Sequence, residues 1–383
     1  MSGTGSRPSS TPPPLNTPPE ETVFQRLRLL RSRRVGIATY HRLMAEHGSA
    51  AAALDALPEI ARGAGMARYS VCPEGVVAAE MAAGAAAGAR LIGLDDPAYP
   101  PALAQIEDAP PFLWVRGRTE LLARPCLALV GARNASSVGT RMAQGLARDL
   151  GAAGYVIVSG LARGIDAAAH RIALDNGTVA VLAGGVDVLY PAENAGLGAE
   201  IAQQGLLVSE QPMGLQPMAR HFPARNRIIS GLAEATVVVE AAAKSGSLIT
   251  ARGALDQGRE VLAVPGNPFD ARAAGCNLLI RDGATLVRGA EDVMEALRPL
   301  APRPRPSTMP APVPAPPQPT RSRAAIAALH SDILGRLGPS PVAEDQLIRD
   351  LGLPAGDIGP VLVELEMEGR IDRQPGGLLS RLN

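Results

Sequence analysis

The sequence predicts a doubly wound α/β domain at the centre of the chain, with a helical segment before it and a small winged helix after it. Three observations carry this reading. Seven short apolar runs lie between residues 126 and 289, each followed by a turn and a helical stretch. The segment 21–90 has an Ala-rich helical pattern instead. A stretch with ten prolines, 299–319, separates the last sixty or so residues from the rest.

In chain order, residues 1–20 are rich in Pro, Ser and Thr and are expected to be a disordered tail. Residues 21–90 begin with Arg26, Arg28, Arg31, Arg33 and Arg34 and read as short helices, two of them joined by a turn at Gly48. Segment 21–70 carries eight Arg against four acids, which makes a supplementary DNA contact there an expectation beside that of a solvated face. Residues 91–124 are interrupted by Pro97, Pro100, Pro101, Pro110 and Pro111 and read as a connecting segment, with FLWVRG (112–117) as a short strand.

The apolar runs of 125–298 are CLALVG, YVIVSG, TVAVLAG, LLVSE, TVVVEA, EVLAVPG and ATLVRG. Continuous apolar runs of this length fit strands buried on both faces of a mostly parallel sheet. Their alternation with helices makes the domain Rossmann-like, with a ligand expected at the carboxyl ends of the strands. Residues 299–323 read as a stiff, Pro-rich linker. Residues 324–383 read as three helices (324–337, 342–351, 355–369) and a hairpin around Pro375-Gly376-Gly377, a winged helix. Five Arg against nine Asp or Glu give this unit a charge of −4, and its third helix holds Asp357, Glu364, Glu366 and Glu368. Such a helix would repel phosphate, so contacts with protein or with its own core are expected of the unit rather than duplex DNA.

Hydrophobic residues make up 46% of the 383-residue chain, enough for two to three cores. Acidic and basic residues balance at 37 each, so net charge points to no partner. Cys72, Cys126 and Cys276 lack metal-ligand spacing and suggest a reducing compartment without disulfides. No apolar leader or membrane-length run is present, and a cytoplasmic location is expected. All basic residues but Lys244 are arginine.

Four turns hold the chemistry. GARNASSVG (131–139) opens a helix whose free amides are expected to attract an anion, with Arg133 beside them. It is not G-x-G-x-x-G, and the next strand ends in Val158-Ser159 without an acid for a ribose, so neither a nicotinamide nor any other cofactor is expected. SGLARGIDAAAH (159–170) places Gly160 and Gly164 around Arg163, and Asp166 and His170 at i,i+4 spacing read as a helix-stabilising pair, the alternative being an acid–base pair or metal site. ARHFPARNRIISGL (219–232) sets Phe222 among Arg220, His221, Arg225 and Arg227, with Asn226 between the last two. Guanidinium groups grip phosphate and an aromatic ring stacks on unpaired bases. VVVEAAAKSGSLITARGAL (237–255) brings Lys244, Ser245, Gly246 and Ser247 to a helix start, as in a phosphate cradle, yet lacks the P-loop pattern. No nucleophile elbow, HExxH or Cys/His metal set appears, so a binding protein rather than an enzyme is expected.

These motifs, with LAGGVDVLYPAEN and GREVLAVPGN, resemble the DNA processing protein A family (DprA, also called Smf) in order across residues 127–267. The N-terminal helices resemble a sterile-alpha-motif or helix-hairpin-helix-like domain, and the tail resembles the family's winged helix. The resemblance implies a cytoplasmic homodimer that binds single-stranded DNA. It further implies loading of the RecA recombinase against single-strand binding protein during natural transformation. It places Arg133, Arg163, Arg225, Asn226, Arg227 and Lys244 to Ser247 in the pocket; Ala192 stands where the family often has a basic residue. The alternative is a Rossmann-like enzyme acting on a nucleoside monophosphate, for which AGGVDVLYP is a poor match.

Overall fold

The computed structural model describes residues 19–66, 68–298, 323–338, 340–374 and 377–382. The tail expected over 1–20 lies outside them up to residue 18, and so does the linker expected over 299–323 up to residue 322. The chain divides into two compact units, up to Leu300 and from Ala301.

The first unit opens with four helices, α1 (Pro19–Arg31), α2 (Ile37–His47), α3 (Ala50–Gly63) and α4 (Glu74–Ala86). Gly48 ends α2 in the left-handed region at φ 73°, and the Ser49 hydroxyl caps α3 by accepting from the Ala52 amide at 3.2 Å. Leu29, Leu43, Leu54 and Leu57 form the buried seam among α1, α2 and α3.

Then follow β1 (Arg90–Gly93), α5 (Pro101–Ala104) and β2 (Phe112–Gly117). The remaining strands are β3 (Cys126–Val130), β4 (Val156–Ser159), β5 (Thr178–Val181), β6 (Leu206–Ser209), β7 (Ala235–Val238), β8 (Glu260–Ala263) and β9 (Thr285–Leu286). Between and after them run α6 (Ser137–Ala152), α7 (Ile165–Ala173), α8 (Ala195–Gln204), α9 (His221–Leu232), α10 (Ser247–Asp256), α11 (Ala274–Arg281) and α12 (Ala290–Ala296). One nine-stranded sheet results, in the order β1-β2-β6-β5-β4-β3-β7-β8-β9. All seven predicted apolar runs enter it in parallel.

The segment 91–124 is more than a connector. β2 pairs antiparallel with β6, Trp114 opposite Ser209, and β1 pairs antiparallel with β2, so both strands extend the sheet beyond the boundary expected at 125. Strand alternation supplies both faces of the sheet. Cys126, Ala128 and Val130 of β3 pack with Ile228 and Ile229 of α9 and Leu248 of α10, whereas Leu127 and Leu129 pack with Leu146 and Leu150 of α6. The order reverses between β3 and β7, which leaves a crevice at their carboxyl ends.

The second unit contains α13 (Arg323–Arg336), β10 (Val342–Ala343), α14 (Glu344–Leu351), α15 (Ala355–Met367), β11 (Ile371–Gln374) and β12 (Leu378–Arg381). The strands pair β10-β12-β11 around a core of Ile333, Leu347, Leu362 and Leu379, which is a winged helix. The expected hairpin turn at Pro375-Gly376 lies outside the described residues. Arg373 on the wing bonds Glu344 at 2.6 Å and Glu366 at 3.4 Å. Thus one of the carboxylates on α15 is matched internally.

Among the described residues no helix is long and apolar enough to cross a membrane, and no group of three His, Cys, Asp or Glu is placed to hold a metal. The three cysteines are buried and free.

Candidate nucleic-acid interface

A cleft of about 760 Å³ opens where the strand order reverses. Arg133 and Asn134 reach it from the turn after β3, and Lys244 to Ser247 from the turn after β7. Phe222, Arg225 and Asn226 face it from α9, and Arg272 from the loop after β8. A smaller cleft of about 230 Å³ shares Arg133, Phe222 and Arg225 and adds Gly160, Arg163, Tyr190 and Glu193. The structure thus brings together ten of the twelve sequence-predicted residues, from three turns and the helix α9.

The aromatic element is sharper than the sequence indicated. The Arg133 guanidinium lies 5.4 Å from the centroid of the half-buried Phe222 ring. Tyr190, half exposed, stands 5.9 Å from the same ring at an interplanar angle of 53°. Arg133, Phe222 and Tyr190 therefore line one wall with π surfaces, a surface suited to unpaired bases. Nothing in the local sequence LYPAEN marks Tyr190 as part of this wall.

The smaller cleft is held by a buried polar network. One oxygen of Asp166 accepts from the amides of Gly160 at 3.1 Å and Ala162 at 3.3 Å. His170 Nε2 accepts from the Leu161 amide at 3.3 Å, and Asn194 donates to the Leu161 carbonyl at 2.9 Å. The Thr178 hydroxyl donates to the Ile157 carbonyl, so His170 Nδ1, 2.7 Å from it, carries the proton and Nε2 is left as acceptor. Burial, helped by the charge of Arg225, pushes the His170 pKa down to about 3 and keeps the ring neutral. Asp166 and His170 are therefore not the mutual helix pair expected from their spacing. Each holds the loop backbone, which Leu161 enters with φ 55°.

Arg225 also departs from the role its sequence context suggests. Instead of projecting as a phosphate clamp it is 5% exposed, and its Nη1 donates to the Val181 carbonyl at 2.5 Å. Burial pushes its pKa down to about 10, so it still carries its charge at neutral pH, and burial raises that of Asp166. It forms the floor of both clefts with its Nε facing no protein partner among the described residues. Gly160 is required for this: a Cβ there would sit 2.1 Å from Arg225 Nη1. Gly160→Ala should therefore lower stability by roughly 1–3 kcal/mol, the usual effect of overpacking. A thermal melt checks this, and an unchanged midpoint would mean that Arg225 is free to move.

Arg227 lies in neither cleft. It bonds Glu210 and, through Nε at 3.2 Å, Asp108, and so ties α9 to the end of β6 and to the segment before β2. Arg220 is exposed and also lines neither cleft. Arg163 lines the smaller one, 3.6 Å from Glu193.

At the start of α6, expected to offer free amides, those of Ser136 and Gly139 are engaged. The Glu240 carboxylate accepts from the Ser136 amide at 3.1 Å and from its hydroxyl at 2.5 Å, and the Ser136 hydroxyl accepts from the Gly139 amide at 2.9 Å. At the start of α10, the Ser245 and Ser247 hydroxyls are 2.7 Å apart, and Ser245 Oγ accepts from the Ser247 amide at 3.3 Å. There the exposed Lys244 ammonium is the cation offered to an incoming anion; Arg133 lines the same cleft, as does Arg272, whose guanidinium is paired with Asp270.

Residues 90–298 match the family described as DNA recombination-mediator protein A. Residues 20–83 match a DprA-like N-terminal HHH domain and residues 310–377 a DprA winged helix domain. The chain is 39% identical over 297 residues to Protein Smf of Escherichia coli, covering 75% of this chain and 76% of that one. It is 46% identical over 207 residues to DNA processing protein DprA of Streptococcus pneumoniae, covering 52% and 71%. The crystal structure of DNA processing protein A from Streptococcus pneumoniae aligns with a TM-score of 0.59 at 34% identity, over 71% of this chain and 96% of that one. DNA processing protein A from Helicobacter pylori, known in its single-stranded DNA binding mode, aligns with a TM-score of 0.50 at 31% identity, over 54% and 95%.

Proposed function

The chain belongs to the DNA recombination-mediator protein A family, and from that premise we propose that it binds single-stranded DNA in the cleft between β3 and β7. The observation that carries the reading is the juxtaposition of Arg133, Lys244 and Arg272 with the Phe222 and Tyr190 rings. Cations neutralise phosphates without reading sequence, and rings stack on any unpaired base. A duplex hides its base faces, so such a wall favours single strands.

In this reading the protein is a cytoplasmic homodimer that loads the RecA recombinase onto single-stranded DNA and displaces single-strand binding protein, as in natural transformation. It binds and hands over DNA without chemical turnover. What supports this is family membership and the make-up of the cleft, which joins exposed cations to an aromatic wall.

The test is binding of fluorescent oligothymidine followed by anisotropy across a salt series. Wild type should bind tightly and lose affinity on a log–log slope of about −0.7 per phosphate contacted. Arg133→Ala with Lys244→Ala should flatten that slope by about 1.4 and weaken binding by at least about 100-fold, since charge-assisted hydrogen bonds contribute roughly 1.5–3 kcal/mol each. Equal slopes for both proteins would remove the cleft from the binding path.

A further inference from the structure

The loop between β8 and α11 carries a feature that the cleft does not absorb. Phe269 is 98% exposed, more than any other large apolar side chain among the described residues. The loop around it is well braced. Asn277 accepts from the Gly266 amide at 3.1 Å and donates to the Gly266 carbonyl at 3.0 Å. Asn267 Oδ1 accepts from the Phe269 amide at 3.0 Å, and Asp270 holds Arg272 through both carboxylate oxygens at 3.1 and 2.9 Å. Secured backbone on either side thus presents a bare ring to water, and Arg272, three residues on, lines the cleft.

We propose that Phe269 is a second stacking platform, on which a base of the strand rests as it leaves the cleft past Arg272. This rests on the single-strand reading above and deepens it by giving the strand a direction, from the β3 side of the crevice toward β8. Distance permits it. Three residues span at most about 11 Å along the backbone, and stacked nucleotides rise about 3.4 Å each, so the backbone that carries the ring lies within about three nucleotides of the backbone that carries Arg272. Chemistry favours it as well. The exposed Lys244 attracts the phosphates that would bring a base to the ring, Arg272 being already paired with Asp270, and a single exposed phenyl on a braced loop stacks at small entropic cost.

The experiment uses the full chain and fluorescent oligothymidines of increasing length. Phe269→Ala should match wild type on oligomers too short to leave the cleft. On longer ones wild type should gain on the order of 10-fold and the variant should not. Phe269→Tyr should restore the gain, because a phenol stacks as well. If Phe269→Ala follows wild type at every length while Arg133→Ala loses affinity, the platform is wrong and the cleft stands. If neither variant loses affinity, the cleft reading and the platform fall together. If Phe269→Ala instead shifts the mass of the protein in solution without changing DNA affinity, the ring is a protein contact and the proposal is overturned.

Discussion

Alanine at position 80 should lower the stability of the first unit by roughly 3–5 kcal/mol, the range seen when one partner of a buried ion pair is removed. Glu80 is 7% exposed on α4 and receives three donors: Arg31 Nε at 2.9 Å, Arg31 Nη2 at 2.8 Å and the Trp114 indole at 2.8 Å. Those donors come from α1 and from β2, so a single carboxylate joins the N-terminal helices to the antiparallel edge of the sheet. Its removal leaves a largely buried guanidinium and a buried indole N–H without a partner. Denaturant unfolding followed by fluorescence reads the site directly, because Trp114 is the chain's only tryptophan. Glu80→Gln should fall between wild type and alanine, as it keeps an acceptor and loses the charge. A midpoint for Glu80→Ala within about 0.5 kcal/mol of wild type, the ordinary range for surface changes, would show that the helices dock by apolar packing alone.

Arg225→Ala should be nearly as damaging, also by about 3–5 kcal/mol, and for a reason that pH exposes. The Arg225 charge opposes the burial that raises the Asp166 pKa. Without it that pKa rises further in the folded state. A carboxyl with a raised folded pKa contributes stability at low pH that is lost as pH climbs through the raised value. The deficit of the variant should therefore be smaller at pH 5 than at pH 8. Adding Asp166→Asn should recover part of the loss and remove its pH dependence. Asparagine can still serve both loop amides, since a single Asp166 oxygen accepts them now. A deficit independent of pH, with no recovery in the double variant, would place the damage in lost packing and in the unsatisfied Val181 carbonyl.

The parallel strands were readable because burial on both faces forces unbroken apolar runs; β3 to β7 are buried at every position. The strand β1 was not, since RLIG is four residues long, sits at the sheet edge and precedes a proline-rich stretch. The winged helix and the turn at Gly48 were readable through local turn and capping chemistry. At the site, local motifs named the turns correctly and the roles only partly. Arg225 lies four and seven positions before Ile229 and Leu232 on α9, which is the spacing of a buried face, so helical periodicity held the signal that it points inward. No local pattern could show that Arg227 meets Glu210, 17 residues away, or Asp108, 119 residues away. The carboxylate that fills the start of α6 comes from Glu240, 104 residues from Ser136, and was equally hidden.

That carboxylate has a consequence for small molecules. Glu240 behaves as a ligand that never dissociates, because its covalent tether fixes its effective concentration on the order of mM or above. A free dinucleotide seeking the first strand turn has to expel a resident competitor of its own charge, and Gly139 lies so close that a Cβ there would sit 2.3 Å from Glu240 Oε2. Part of the turn that usually admits a pyrophosphate is thus taken up by the protein's own carboxylate. A polymer engaging several turns at once would lose less to that competitor than a small molecule bound at this turn alone.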